Sequence, residues 1–500
     1  MSSSSKSNCS FGPDSSPLLH PGDLPFQSRR DFLVRSGLGM GGLSLAALFG
    51  INPFDANAAG PMGPLAPKAP HFPVKAKSII QIFAGGAPST VDTWDPKPEL
   101  VANDGKKIPG YEGLALGSPF KFEKKGKSGV EVPEIFPAIG KHIDDIAVIR
   151  SLFAEIPDHG IAAKMLMTGS AQLPKPSLGS WLVYGLGSLN QNMPGFITLG
   201  GDSTFRQSAF LPGVFQGCNV NYTPPREGLN ENQIREYLST ILPNISSEVS
   251  SIERQRRQLA LAAQLSELHA AQLQKDAQLD ARIKAFEIAF KMQTEATDAF
   301  DISKEPQSIR DMYEQAPEGT NPGMGMRMGG KNTVGSKLLV ARRLVERGVR
   351  FVQVATGGWD THSDIGNSVR NAAMGIDGPA GALLTDLKQR GLLDSTIVIW
   401  GGEFGRTITA GGGAGAPGRD HNGKSMVAWM AGGGVKGGQA YGATDEFGGK
   451  VVDNKMHVHD FHATILRLMG FDHEKLIYNY NGRPFRLTDN FGNVAKELIA

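Results

Sequence analysis

Six short apolar runs recur along the chain, at Ser78–Phe83, Ile146–Arg150, Phe196–Leu199, Val349–Ala355, Thr396–Trp400 and Met426–Ala431. None alternates cleanly between apolar and polar, as a strand buried on both faces does not. Between and after them, Val334–Arg347, Ala380–Gln389 and His459–Met469 carry apolar residues at helical spacing, with Leu338, Leu339, Ala341 and Leu344 marking the first. Strands alternating with helices predict a mainly parallel α/β sheet with helices on both faces. Trp181, Trp400 and Trp429 fall inside or beside these runs and are expected in the core.

One stretch differs. From Asn244 to Glu305 there is neither Gly nor Pro, and Leu261, Leu265 and Leu268, then Leu279, Ile283, Phe286 and Phe290, repeat at helical spacing. This predicts two long amphipathic helices over about 244–305, inserted into the main domain. A coiled-coil arm joining two copies is the alternative, and it makes this segment the place for an oligomer contact. Two Gly-rich loops follow, Asn321–Lys331 and Ala410–Gly418.

The first 58 residues read as a targeting segment. Ser28-Arg29-Arg30-Asp31-Phe32-Leu33 matches the twin-arginine signal, an uncharged stretch runs from Ser36 to Phe54, and Ala56-Asn57-Ala58 fits a cleavage site. Gly37, Gly39, Gly41, Gly42 and Gly50 make that stretch a poor membrane helix. The expected course is export already folded, to the periplasm or beyond, with no membrane span after cleavage. Residues 59–75 form a Pro-rich linker, leaving 76–500 as the main domain. Of two cysteines, Cys9 lies in the leader, so Cys218 has no partner for an internal disulfide. The formal charge of +2, from 51 basic and 49 acidic residues without long blocks, gives no electrostatic footprint for nucleic acid.

In open α/β sheets, ligands bind beyond the carboxyl ends of the strands. The polar residues concentrate there. Gly85-Gly86-Ala87-Pro88-Ser89-Thr90-Val91-Asp92 follows the first strand, and a loop reaching Asp158-His159 follows the second. Gly358-Trp359-Asp360-Thr361-His362 and Glu403-Phe404-Gly405-Arg406-Thr407 follow two more, and Arg419-Asp420-His421 closes a Gly-rich loop. Carboxylates mixed with imidazoles suit zinc, manganese or iron. Asp360, His362, Glu403 and His421 are therefore the leading candidate ligands, with Asp420 and Asp92 behind them. The expected cofactor is a divalent metal, with zinc, manganese and calcium left open. Arg406 and Arg419 could hold an anionic group, guanidinium forks matching phosphate or sulfate oxygens, or could close loop salt bridges instead. His457, His459 and His462 resemble a metal cluster but are expected to be structural residues at a helix start.

These segments, with Pro176-Ser177-Leu178-Gly179-Ser180-Trp181 and Val458-His459-Asp460-Phe461-His462-Ala463, resemble a large bacterial family of exported proteins known only as a domain of unknown function. That family is related to alkaline phosphatases and sulfatases, and the resemblance covers almost the whole mature chain. It implies an alkaline phosphatase-like fold with Glu403, Asp360, His362 and His421 at ligand positions. It departs from the wider pattern in two places: Gly85-Gly86 stands where a metal-binding Asp ends the first strand, and His159 stands where a Ser, Thr or Cys nucleophile is usual. His159 is then a base or acid, a further ligand, or a helix-start residue, with Ser89 and Thr90 as fallback nucleophiles. The function expected is metal-dependent hydrolysis of a phosphate or sulfate ester, of a small molecule or a glycan. A non-catalytic envelope binding or scaffold protein that kept the fold is the alternative.

Overall fold

The computed structural model describes residues 64–224, 230–241, 297–314, 333–411 and 415–500, with isolated positions between 253 and 287. The leader, the Asn321–Lys331 loop and most of the helical segment 244–305 lie outside the described residues.

Among the described residues, nine strands form the main sheet: β1 Ser78–Ala84, β2 Ile146–Phe153, β3 Phe196–Leu199, β4 Cys218–Val220, β5 Phe351–Thr356, β6 Thr396–Gly401, β7 Met426–Ala431, β8 Gln439–Tyr441 and β9 Met456–His457. Their order is β8-β2-β7-β6-β1-β5-β3-β4, with β9 also pairing β2. Of these, only β7 runs antiparallel to its neighbours, β2 and β6. The six apolar runs of the sequence are all strands, with ends shifted by a residue or three. The pattern missed β4, β8 and β9, which are two or three residues long and sit toward the sheet's margins, where pairing rather than periodicity makes a strand.

The described helices of eight residues or more are α1 His159–Thr168, α2 Leu178–Leu186, α3 Glu231–Ile241, α4 Gln307–Glu314, α5 Thr333–Glu346, α6 Ile365–Gln389 and α7 Val458–Leu468. The largest departure from expectation is α6, which spans 25 residues rather than starting at Ala380. Pro379 lies inside it and reads as a stop in sequence. The helix continues because its buried positions, from Ile365 and Val369 through Leu387, stay packed in the core.

All seven residues of β1 are buried, and β6 and β7 are buried throughout. Each fully buried Val, Ile or Leu contributes about 1.5–3 kcal/mol, so these strands anchor the fold. Trp181, Trp400 and Trp429 are core residues, at most 1% exposed. Pairing of Ala84 with Thr356 and Phe83 with Gly401 brings the carboxyl ends of β1, β5 and β6 side by side. The loops that leave those ends therefore meet. No helix among the described residues is long and apolar enough to cross a membrane.

Candidate metal centre

Each side chain of the centre is delivered by a loop of that edge. Asp360 and His362 lie beyond β5. Glu403 lies beyond β6, just before Gly405–Arg406, which pairs antiparallel with His421–Asn422 and sets His421 opposite Arg406. His159 is the first residue of α1, whose N-cap Asp158 accepts a bond from the Ile161 amide. The loop after β1 crosses the Asp360 loop so closely that a Cβ on Gly86 would sit 2.5 Å from the Asp360 nitrogen, and its φ is +102°. Only glycine fits there.

The three imidazoles are oriented alike. His159 Nδ1 lies 2.6 Å from Glu403 Oε1, His362 Nδ1 3.0 Å from Asp420 Oδ1, and His421 Nδ1 2.9 Å from the Pro157 carbonyl. Carboxylate and carbonyl oxygens only accept, so each Nδ1 carries the proton it donates, and a neutral ring then has its lone pair on Nε2. Those lone pairs face one another. His421 Nε2 is 3.1 Å from His159 Nε2 and 3.0 Å from His362 Nε2. Asp360 Oδ1 completes the group, 3.3 Å from His159, 3.0 Å from His362 and 3.5 Å from His421. The ligand atoms of His159, Asp360 and His421 all lie within 4.8 Å of one another. Arg406 reaches His362 Nε2 at 3.3 Å, but the lone pairs of neutral His159 and His421 rings and the Asp360 carboxylate repel unless a proton or a further cation sits among them. A ring nitrogen facing the centre with its other N–H held by a carboxylate or carbonyl is the usual arrangement of a metal-ligating histidine. Nitrogen donors with one carboxylate suit zinc, manganese or iron better than calcium, which takes oxygens.

Arg406 supports the group from below. Its side chain is fully buried; Nε donates to the Ala87 carbonyl at 2.9 Å, and one terminal nitrogen to the Gly86 carbonyl and Asp360 Oδ1, both at 2.5 Å. Burial raises the Asp360 carboxyl, but the hydrogen bond and charge of the Arg406 guanidinium override it and hold the group below its ordinary value. Asp360 is thus ionised at any physiological pH.

The structure sorts the sequence candidates into different places. Asp360, His362, His421 and His159 converge. Glu403 and Asp420 stand behind His159 and His362 and bond their outer nitrogens. Asp92 does not reach the cluster: Arg419 takes both its oxygens, at 2.6 and 3.1 Å, in a pair with no exposure on either side, and Ser89 Oγ donates to it at 2.5 Å. Ser89 and Thr90 are buried, so neither hydroxyl stands at the rim. Arg406 and Arg419 are both committed inward. Beside the cluster opens a cleft of about 520 Å³, lined by His159, Asp360 and Glu403 and also by Phe83, Asp202 and Phe205. Asp202 and Phe205 carry no motif, and only the fold brings the 200–205 loop beside Phe83 of β1.

A mainly parallel α/β sheet with imidazoles and a carboxylate gathered beyond its carboxyl ends defines an α/β protein with a candidate metal centre. Over residues 76–499 the chain matches the family described as "Protein of unknown function (DUF1501)", and it belongs to that family. No curated protein matches the sequence. Among solved structures it is similar to the PsFucS1 sulfatase from Pseudoalteromonas sp., with 12% identity over 89% of this chain and 72% of that one and a TM-score of 0.34. It is also similar to the lipoteichoic acid synthase LtaP from Listeria monocytogenes, with 9% identity over 85% and 78% and a TM-score of 0.32. A third is the alkaline phosphatase from the Antarctic bacterium TAB5, with 12% identity over 73% and 93% and a TM-score of 0.29. Likenesses this loose bear on neither substrate nor mechanism.

Proposed function

We propose that this chain is an exported, metal-dependent hydrolase of a phosphate or sulfate ester, of a small molecule or a glycan. The observation that carries the reading is the convergence of His159, His421 and Asp360, with His362 Nε2 beside them and each Nδ1 held by an oxygen outside the group. A divalent ion held by His159, His421 and Asp360, with His362 adjoining, would supply Lewis-acid polarisation of the ester and neutralise charge that develops on it. Glu403, Asp420 and the Pro157 carbonyl fix the tautomers on which that binding depends. Arg406 keeps Asp360 ionised and in place. His159 acts in this reading as a ligand rather than as a free base, since both its nitrogens are engaged. With Ser89 and Thr90 buried, attack falls to water rather than to a side-chain hydroxyl.

Elemental analysis of the purified mature protein, together with turnover of aryl phosphate and aryl sulfate, tests the proposal. Bound zinc, manganese or iron that is lost in His159→Ala, along with turnover, is the expected result. Absence of metal in the wild type would overturn the centre, and metal without turnover of any ester would favour the non-catalytic envelope protein.

A further inference from the structure

The cleft beside the centre has one carboxylate, Asp202, that neither the metal centre nor an anionic ester explains. Three carboxylates line it, from Asp202, Asp360 and Glu403, and no lysine or arginine among the described residues does. Arg406 and Arg419 have no exposed side-chain surface, and Arg206, at the end of the short helix that Asp202 caps, acts on Asp202 from outside the lining. Lys337, whose ammonium lies near Gly200, is not among the lining residues.

The three acids are not equivalent. Asp360 is tied to Arg406. Asp202 caps the short helix that begins at Ser203, and Oδ1 alone takes all of its hydrogen bonds: from the Thr204 amide at 2.8 Å, the Thr204 hydroxyl at 3.0 Å and the Ser203 hydroxyl at 3.3 Å. Those bonds, the Thr204 amide first, hold its carboxyl below the usual range, so it is charged. Its other oxygen has no protein partner among the described residues and, on an exposed residue, is open to water or a ligand. Independently, Glu403 is 2% exposed, and while its Oε1 binds His159 and the Gly86 amide, its Oε2 is buried with no hydrogen-bond partner among the described residues. An acceptor oxygen left unpaired and out of water costs free energy that a donor from a ligand would recover. Phe83 and Phe205, packed edge to face at 4.9 Å, supply the apolar part of the same cleft.

One buried, unpaired carboxylate oxygen, one exposed carboxylate and two phenyl rings suit a group that is cationic, rich in N–H donors and partly apolar. We infer that the cleft recognises a protonated amine on the alcohol part of the substrate, with Asp202 as the exposed recognition residue. The anionic end of such an ester would lie toward the metal centre and its amine toward Asp202. This rests on the hydrolase reading for the identity of the ester, but the amine contact is separable from it.

The test uses matched pairs: 2-aminoethyl phosphate against ethyl phosphate, and 2-aminoethyl sulfate against ethyl sulfate. Each is offered to the mature protein purified with its own metal, as wild type and as Asp202→Asn. Asn keeps the capping oxygen, so folding and thermal midpoint should be unchanged. The wild type is expected to favour the aminated member of a pair by about 10-fold or more in KM, the order of one charge-assisted hydrogen bond. Asp202→Asn should erase that preference by raising KM for the aminated ester alone, with kcat within about 2-fold. Equal handling of the two members by the wild type, or a preference that survives in Asp202→Asn, would overturn the inference. If no ester turns over, the hydrolase reading fails by itself. Calorimetric binding of the same pairs then decides the amine contact on the same criteria.

Discussion

Two groups of three histidines lie on this chain, and they differ in what their nitrogens face. In His159, His362 and His421, each outer nitrogen is held by an oxygen from another loop and each inner lone pair points at the others. In His457, His459 and His462, one nitrogen of each ring meets the backbone. His459 Nε2 lies 3.0 Å from the Gly169 carbonyl and His462 Nε2 2.7 Å from the Leu166 carbonyl, while His457 caps α7 in a capping box with Asp460. The second group ties the end of α1 to the start of α7. The compact run braces two helices, whereas the scattered set converges at the sheet edge. A histidine's role follows from where its second nitrogen is anchored.

The sharpest way to break this comparison is to remove ligands from one group and imidazoles from the other. Asp360→Ala with His362→Ala should lower metal affinity by more than about 100-fold, beyond what loss of an outer partner produces. His459→Ala should leave the metal in place. Equal metal content in the two proteins, by elemental analysis, would erase the distinction.

Next in size is the stability carried by His462. Burial pushes its imidazole down to about 3, against an ordinary value of 6.5, so the folded protein keeps it neutral. Between those values the unfolded chain binds a proton that the folded chain refuses. Stability is therefore present above pH 6.5 and is lost as pH falls toward 3, by an order of a few kcal/mol. Denaturant titrations across that window should show a shallower acid loss in His462→Gln than in the wild type, with metal content at neutral pH unchanged in both. Parallel acid profiles would show that His462 does not set the acid limit.

A smaller effect sharpens the inner side of the comparison. Glu403→Gln and Asp420→Asn keep the shape but weaken the hold on the outer nitrogens, and each should cost about 10–100-fold in metal affinity. A loss as complete as that of the Asp360 and His362 double variant would instead make Glu403 or Asp420 a ligand. The smallest effect is expected for His457→Asn. Asparagine is a good N-cap, so thermal stability should move by no more than about 0.5 kcal/mol and metal content not at all. A large drop in either would show that His457 does more than cap.

Much of the framework is legible in the chain. Buried parallel strands are continuous apolar runs, and the polar segments after them must emerge at one edge. That is why Asp360, His362, Glu403 and His421 group together on sequence alone. The roles within the group are not legible. Glu403 and Asp360 are both acids after a strand end, yet one binds the back of a histidine and the other the centre. Asp92 follows β1 as Asp360 follows β5, but its segment turns inward through the short helix Thr90–Thr93, and Arg419 takes its charge into the core. Periodicity and composition do not encode which way a carboxylate turns within a loop.

The sequence alone determined the class of fold, the buried strands and the edge at which chemistry collects, because these follow from local hydrophobic patterning and chain connectivity. Tertiary structure decided the rest: which imidazole nitrogens face inward, that His159 joins them, that Arg406 and Arg419 are spent on the interior, and that Asp202 and Phe205 form the cleft wall. Those outcomes depend on oxygens and rings brought from loops as far apart in the chain as His159 and His421, and a contact across that distance exists only once the sheet has aligned its strand ends.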